Sequence, residues 1–392
     1  MSGRQRRDDR DEATGPSRWR VKGTTEPFGW RWAAPRLLAL FLATRIVLLG
    51  CAVAVERVVA PDPEGAANST LQATDRPLLA SLTSWDAVYY LGIARDGYQA
   101  GPVNGPYPEV VFFPLYPALV GAAAGLVGGD LPLAAVLVAN AAGLAALFAA
   151  YALARRRLAP RGALLATTLV AVQPGAVAFA MAYSDSLFLL LAVGSLLAAE
   201  RGARPLAGVL GALAALTRLQ GALLALPLLV LFAHADGQRP RPSWLWALGP
   251  PLGLIAFGLA IGRITGDPLS PIVGQGTWDI GIVPGAVVQT WVLVVALLVN
   301  VPTIGLGLWL GFERWRGRRD PAGVVWGLAN VVVVVVGRRI ASLPRYMVPV
   351  TQLAEQVADG THGRRLVGAI LVGAVGGYVV LALLHFSLLL AP

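Results

Sequence analysis

Asp86 is the acid whose neighbours point most directly to chemistry. It lies between Trp85 and the pair Tyr89-Tyr90, an apolar aromatic setting that can perturb a carboxylate and shield a polar substrate from water. A carboxylate within hydrogen-bond reach of a hydroxyl can take its proton, and Trp and Tyr faces stack on the C–H surfaces of sugars. The competing role is helix capping, because Asp86 closely follows Ser84 at a plausible helix start. Further along the chain stand the acids Asp96, Glu109, Asp185, Asp267 and Asp279 and the bases Arg218, Arg338, Arg339 and Arg345. A guanidinium fork donates two parallel hydrogen bonds and so matches a phosphate. Carboxylates and arginines of this kind, gathered at one face, suit an anionic lipid-linked substrate. Interfacial salt bridges and headgroup contacts are the alternative use for the same charges.

The elements that must gather them are membrane helices. Of 392 residues, 56% are hydrophobic and only 14% charged, against about 25% charged in average soluble domains. The apolar runs are long enough to cross a bilayer. A spanning segment must satisfy its own backbone, and no barrel-like alternation is visible, so the spans are helices. The expected fold class is an all-α polytopic membrane protein. Residues 1–34 form a polar tail, read as disordered and cytoplasmic, and residues 35–392 form the membrane domain.

Arg155, Arg156, Arg157 and Arg161 fix orientation, because basic loops favour the cytoplasm. Alternation from there predicts eleven spans: Pro35–Val55, Leu133–Ala154, Gly162–Ala180, Ser186–Ala199, Leu206–Leu216, Ala222–Phe232, Trp244–Ile261, Gly285–Phe312, Ala322–Gly337, Tyr346–Val357 and Leu366–Leu390. The N-terminus is then cytoplasmic and the C-terminus external. Residues 60–131 become a large first outer loop, with Phe112–Val127 lying along or dipping into the outer membrane face. Residues 263–284 form a second outer loop. Asp86, Asp185, Arg218, Arg338, Arg339 and Arg345 fall outside, the arginines against the positive-inside trend. Arg45 lies inside the first span, where it must face protein or water or snorkel toward the interface.

Several function classes lack their signatures. Cys51 is the only cysteine, so no intrachain disulfide can form. The three histidines, His234, His362 and His385, share no ligand spacing. There is no P-loop, no GxGxxG after a strand, no HExxH and no GxSxG. The reading carries no metal and no cofactor. The net charge of +10 lies in the tail and short loops, with no basic stripe interleaved with aromatics, so nucleic acid is not an expected partner.

Two motifs together carry a family resemblance. Trp85-Asp86-Ala87-Val88-Tyr89-Tyr90-Leu91-Gly92-Ile93-Ala94-Arg95-Asp96-Gly97-Tyr98 is followed by Phe112-Phe113-Pro114-Leu115-Tyr116-Pro117. The pair resembles the first outer loop of the PIG-V family of mannosyltransferases, the second mannosyltransferases of GPI-anchor assembly and their bacterial relatives. Later matches keep the family order. Tyr183-Ser184-Asp185 stands in place of the usual Tyr-Ser-Glu. Thr217-Arg218 comes with Gly221. Thr265-Gly266-Asp267-Pro268-Leu269 is followed by Gln275 and Trp278, and Ser342-Leu343-Pro344-Arg345-Tyr346 closes the series.

The resemblance implies a GT-C membrane fold and a polyprenyl-phosphate sugar as donor. It also implies transfer at the extracytoplasmic face and inversion at the anomeric carbon. A first-loop carboxylate, here Asp86, then acts as base. Trp85, Tyr89, Tyr90, Tyr116, Asp185, Arg218, Arg338, Arg339, Arg345 and Tyr346 are the matching candidates for substrate binding. The leaving group is a lipid phosphate, already stable as an anion, so arginines can do what a metal does in nucleotide-sugar enzymes. The acceptor is open among glycolipid, glycan and protein. A reading from another class is a secondary transporter or lipid flippase. It would be expected to show two related halves and a midplane site. No such repeat is visible, and the polar residues gather at one face.

Overall fold

Lipid offers no partner to a backbone amide, so the apolar runs fold as helices that bond internally. A computed structural model describes residues 29–58, 76–99, 109–275, 305, 309, 312, 320–336, 343–347, 349–359 and 363–390. All regular structure among them is helical. The polar tail before residue 29, most of 276–319, and Arg338 and Arg339 lie outside the described residues, as do parts of the first outer loop.

Helix α1 (Trp30–Val58) shows how lipid and protein divide one helix. Leu38, Leu42 and Ile46, spaced by four, are exposed, whereas Leu37, Thr44, Leu48, Cys51 and Val55 are buried on the other side. After it come α2 (Pro77–Leu82), α3 (Asp86–Asp96), a 3-10 turn (Glu109–Val111) and α4 (Leu115–Ala124), which ends in a second turn, Gly125–Val127. Helix α5 (Leu131–Ala154) follows, capped by Asp130, whose carboxylate accepts from the Leu133 amide. Then come α6 (Pro160–Val172), α7 (Asp185–Glu200), α8 (Arg204–Ala215), α9 (Ala225–Ala235) and α10 (Gly249–Thr265). The short α11 (Ser270–Val273), then α12 (Pro321–Val336), α13 (Leu343–Met347), α14 (Thr351–Ala358) and α15 (Arg364–Leu390) complete the order.

Among the described residues, four apolar stretches are long enough to cross a bilayer: Trp30–Val58, Leu131–Ala154, Pro242–Thr265 and Arg364–Phe386. The protein is therefore a multi-pass membrane protein. The Leu115–Val127 helix reaches only about 20 Å at 1.5 Å per residue, short of the ~30 Å hydrocarbon layer. Tyr116, Val120 and Ala124, spaced by four, are buried beneath it while Leu119 and Leu126 are exposed.

Two segments expected as single spans are broken. The run Gly162–Ala180 stops being α-helical at Val172 and continues as the 3-10 turn Pro174–Phe179. Pro174 disfavours helical geometry at Gln173 and brings no amide of its own. The run Tyr346–Val357 divides into α13 and α14 around Pro349. On α14, Thr351, Gln352, Glu355 and Gln356 are buried, so this helix turns a polar face into protein rather than an apolar one to lipid.

The polar anchor of α14 is Arg157. It pairs with Glu355 at 2.7 Å, with Glu200 at the end of α7, and with Asp320 at 3.8 Å. Helices α8 and α10 meet through glycines instead. A methyl group on Gly253 would lie 2.5 Å from the Ala212 carbonyl oxygen, and one on Gly249 would overlap the Gly208 carbonyl. Small residues allow this close approach in membranes. Gly253→Ala is expected to cost about 1–3 kcal/mol through overpacking, read as a lower melting temperature in detergent. Gly50→Ala on α1, where the new methyl meets nothing within 4 Å, should leave it unchanged.

Candidate active site

The first loop is bolted to the turn before α7 by hydrogen bonds. The Ala182 amide donates to the Leu82 carbonyl at 2.9 Å, and the Tyr183 hydroxyl donates to the Ser84 carbonyl at 3.2 Å. Directly after those contacts Trp85 adopts φ 55° and ψ −122°, a backbone region that a bulky residue occupies only at a cost of about 1–3 kcal/mol. The kink starts α3 at Asp86, placing the carboxylate at the positive end of the helix dipole. Asp86 is the first residue of α3 rather than its cap, a position that Trp85 holds without a side-chain cap bond. The Asp86 side chain reaches across to Arg345.

Arg345 is the centre of the site. Its Nη1 donates to Asp86 Oδ2 at 2.9 Å, its Nη2 to Asp185 Oδ2 at 2.8 Å and its Nε to Asp185 Oδ1 at 3.3 Å. Arg218 Nη1 meets the same Asp185 Oδ2 at 2.7 Å. The result is one chain, Asp86–Arg345–Asp185–Arg218, of two carboxylates and two guanidiniums. Asp185 is 5% exposed, Arg218 13%, and Asp86 and Arg345 about a fifth each. Burial works against charge on Arg345, yet Asp185 and Asp86 outweigh it and lift its pKa well above the ordinary arginine range. The guanidinium also lies 4.8 Å from the Tyr183 ring, and that of Arg218 lies 5.1 Å from the Tyr346 ring, favourable cation–π contacts.

The aromatic candidates divide by position. Trp85 is about half exposed beside Asp86. Tyr89 and Tyr90 are buried, with Tyr89 stacked on Phe112 at 4.5 Å and Tyr90 edge-on to Phe112 and Tyr116. Tyr90 still touches the site, because its hydroxyl shares a 2.7 Å hydrogen bond with Ser184, next to Asp185. Burial raises the Tyr90 pKa, so the phenol keeps its proton. Tyr116 is fully buried and donates to the Ala135 carbonyl at 2.8 Å, which fixes α4 against α5. The structure thus brings Asp86, Trp85, Tyr90, Asp185, Arg218, Arg345 and Tyr346 together and sets Tyr89 and Tyr116 behind them as packing.

Arg45 serves the site from a distance. Its Nε donates to Asn140 at 2.7 Å and its Nη2 to the Phe179 carbonyl at 3.0 Å, while Ser186 donates to the same carbonyl at 2.9 Å. These bonds hold the Pro174–Phe179 turn that leads into Tyr183-Ser184-Asp185. Asn140 and Ser186 carry no motif, so only their placement shows what they do. Tyr183 sits in a motif, but its role under Arg345 depends on contacts that spacing cannot reveal.

Comparison with known proteins bears on the fold and the family. In fold, the chain is similar to ArnT from Cupriavidus metallidurans bound to undecaprenyl phosphate, at a TM-score of 0.54 and 17% identity over 88% of this chain and 63% of that one. It therefore spans less than two thirds of that ArnT chain. The apo form of the same ArnT is similar at a TM-score of 0.44 and 16% identity, over 91% of this chain and 77% of that one. AglB from Archaeoglobus fulgidus, in complex with an inhibitory peptide and a dolichol-phosphate, gives a TM-score of 0.44 and 12% identity over 88% and 56%. An all-helical fold among the described residues is what the sequence led one to expect. No curated protein matches the chain in sequence. The family described as Mannosyltransferase (PIG-V) matches residues 34–231, half of the chain, and that stretch carries Asp86, Asp185 and Arg218. The chain belongs to the PIG-V mannosyltransferase family.

Proposed function

We propose that the protein transfers a sugar, mannose by family, from a polyprenyl-phosphate donor to an acceptor hydroxyl at the extracytoplasmic face, with inversion. The observation that carries this reading is the Asp86–Arg345–Asp185–Arg218 chain. It couples the first-loop carboxylate to two guanidiniums at the outer end of the bundle under the positive-inside orientation. Only one Asp86 oxygen is taken by Arg345, and the other faces an acceptor hydroxyl. That hydroxyl gives its proton to Asp86 as its oxygen attacks the anomeric carbon from the face opposite the phosphate. The anomeric C–O bond breaks, and its electron pair leaves with the phosphate. Arg345, touching both carboxylates, can follow the charge toward the leaving phosphate as Asp86 becomes neutral, with Arg218 holding Asp185 behind it. Preorganised donors aimed at developing charge are a large source of catalysis. Undecaprenyl phosphate, held by ArnT, is the type of lipid product this scheme releases. The acceptor is a glycolipid, a glycan or a protein.

The test is transfer of labelled mannose from synthetic polyprenyl-phosphate mannose by purified protein, with a membrane lipid extract as acceptor and EDTA present. Label should move into a new product. Glucose and arabinose donors decide the sugar. If folded protein transfers none of the three sugars yet moves the lipid between vesicle leaflets, the chain is a flippase and the transferase reading fails.

A further inference from the structure

One nitrogen beside this site has no partner. His385 lies on α15, on the face that Tyr378, Ala382 and Phe386 bury against the rest of the protein. Its ring centre is 6.5 Å from that of Trp85, 6.5 Å from that of Tyr183 and 5.4 Å from that of Phe386. Arg345 and, more weakly, Asp86 act on it electrostatically. Its Nε2 is nevertheless buried with no hydrogen-bond partner among the described residues. An unmatched buried polar atom costs stability that a phenylalanine in the same space would not. A partner arriving with the substrate offsets that cost.

We propose that His385 Nε2 donates a hydrogen bond to the phosphate of the lipid-linked donor, next to Arg345, which makes it a substrate-binding residue of the transfer reaction proposed above. Three observations favour a phosphate over a hydroxyl. Arg345, a cation, is the charged group that acts most strongly on the imidazole. The described charges of the site, Asp86 and Asp185 against Arg218 and Arg345, already cancel. An incoming phosphate therefore needs further donors, and a neutral imidazole N–H supplies one without another fixed charge. The third is Trp85, whose ring centre lies 6.5 Å from that of His385 and which is about half exposed beside Asp86, so the histidine borders the open side of the site.

The experiment compares undecaprenyl phosphate with undecaprenol, which has the same chain and no phosphate, by titrated thermal stabilisation of the purified full-length protein. His385→Phe keeps the ring and removes the nitrogen. It is expected to melt at or above the parent temperature, to bind undecaprenyl phosphate about tenfold or more weakly, and to bind undecaprenol as the parent does. His385→Gln and His385→Met form a second pair of similar length, with and without a donor, should the Phe variant not fold. Gln should retain most phosphate-lipid affinity and Met should lose it. In transfer assays the loss should appear in the KM for donor, not for acceptor. Equal loss for phosphate and alcohol, or equal behaviour of the Gln and Met variants, makes His385 a packing residue and overturns the proposal. If the parent binds undecaprenyl phosphate selectively through His385 but transfers no sugar, the transferase reading fails and the phosphate contact stands. If the parent transfers sugar and His385→Met keeps its donor KM, only the His385 inference fails. If the parent does not bind undecaprenyl phosphate, both fail.

Discussion

Asp86→Asn is expected to lower the rate of sugar transfer by about 10²- to 10⁴-fold, the usual contribution of a general base, while leaving fold and donor binding intact. The substitution keeps the side chain's shape and one oxygen but removes the proton acceptor. Arg345 loses one of its two carboxylates and keeps Asp185, held through Nη2 and Nε. Because Arg345 keeps Asp185 as its counter-charge, losing this pair should cost well below the roughly 3–5 kcal/mol of stranding a buried partner. The variant should therefore purify like the parent and bind polyprenyl-phosphate sugar with an affinity within a few-fold of it. Single-turnover rates with saturating donor and acceptor separate this from a binding defect. A parental rate in folded Asp86→Asn would remove Asp86 from the mechanism and leave its carboxylate as a partner for Arg345 alone.

A different failure is expected at Asp185. This carboxylate is 5% exposed and serves both Arg218 and Arg345. Taking it away leaves two buried guanidiniums facing each other, with Arg218 stripped of the only carboxylate it meets among the described residues. Removing one partner of a buried pair costs about 3–5 kcal/mol. Asp185→Asn should accordingly lower the melting temperature sharply or abolish recovery of monodisperse protein. Asp185→Glu keeps the charge that both arginines need and should fold. The double variant Asp185→Asn with Arg218→Gln removes the stranded cation and should recover part of the lost stability, a coupling that a double-mutant cycle measures. Additive losses in the cycle would show that Asp185 and Arg218 do not act as a unit.

These two acids show what can be read from sequence. Hydropathy and charge bias describe how each residue fares in lipid or water, a property that needs no partner. They suffice to recognise a multi-pass helical membrane protein and to put Asp86, Asp185, Arg218 and Arg345 on a common side. The first-loop motif adds the family, because Trp85-Asp86 and Phe112-Phe113-Pro114 occur together in order. Backbone chemistry at prolines marks where the expected spans Gly162–Ala180 and Tyr346–Val357 break, but hydropathy averages over such breaks and so reads them as continuous.

Pairing is another matter. Asp86 and Arg345 are separated by 259 positions and Asp185 and Arg345 by 160, and nothing local to any of them specifies the other. Their meeting depends on where α3, α7 and α13 begin in space, which is set in part by the Arg45 and Asn140 bonds to the turn before α7 and by the strained kink at Trp85. The same packing sends Tyr89 and Tyr116 behind the site although they stand in the same motif as Asp86. It brings in His385, which in the sequence is one isolated histidine in a long apolar run. The sequence by itself determined the solvent of each segment and the inventory of charged groups. Only the tertiary structure decided which charges meet, because electrostatic and hydrogen-bond energies depend on distances of a few ångströms between residues that the chain order keeps far apart.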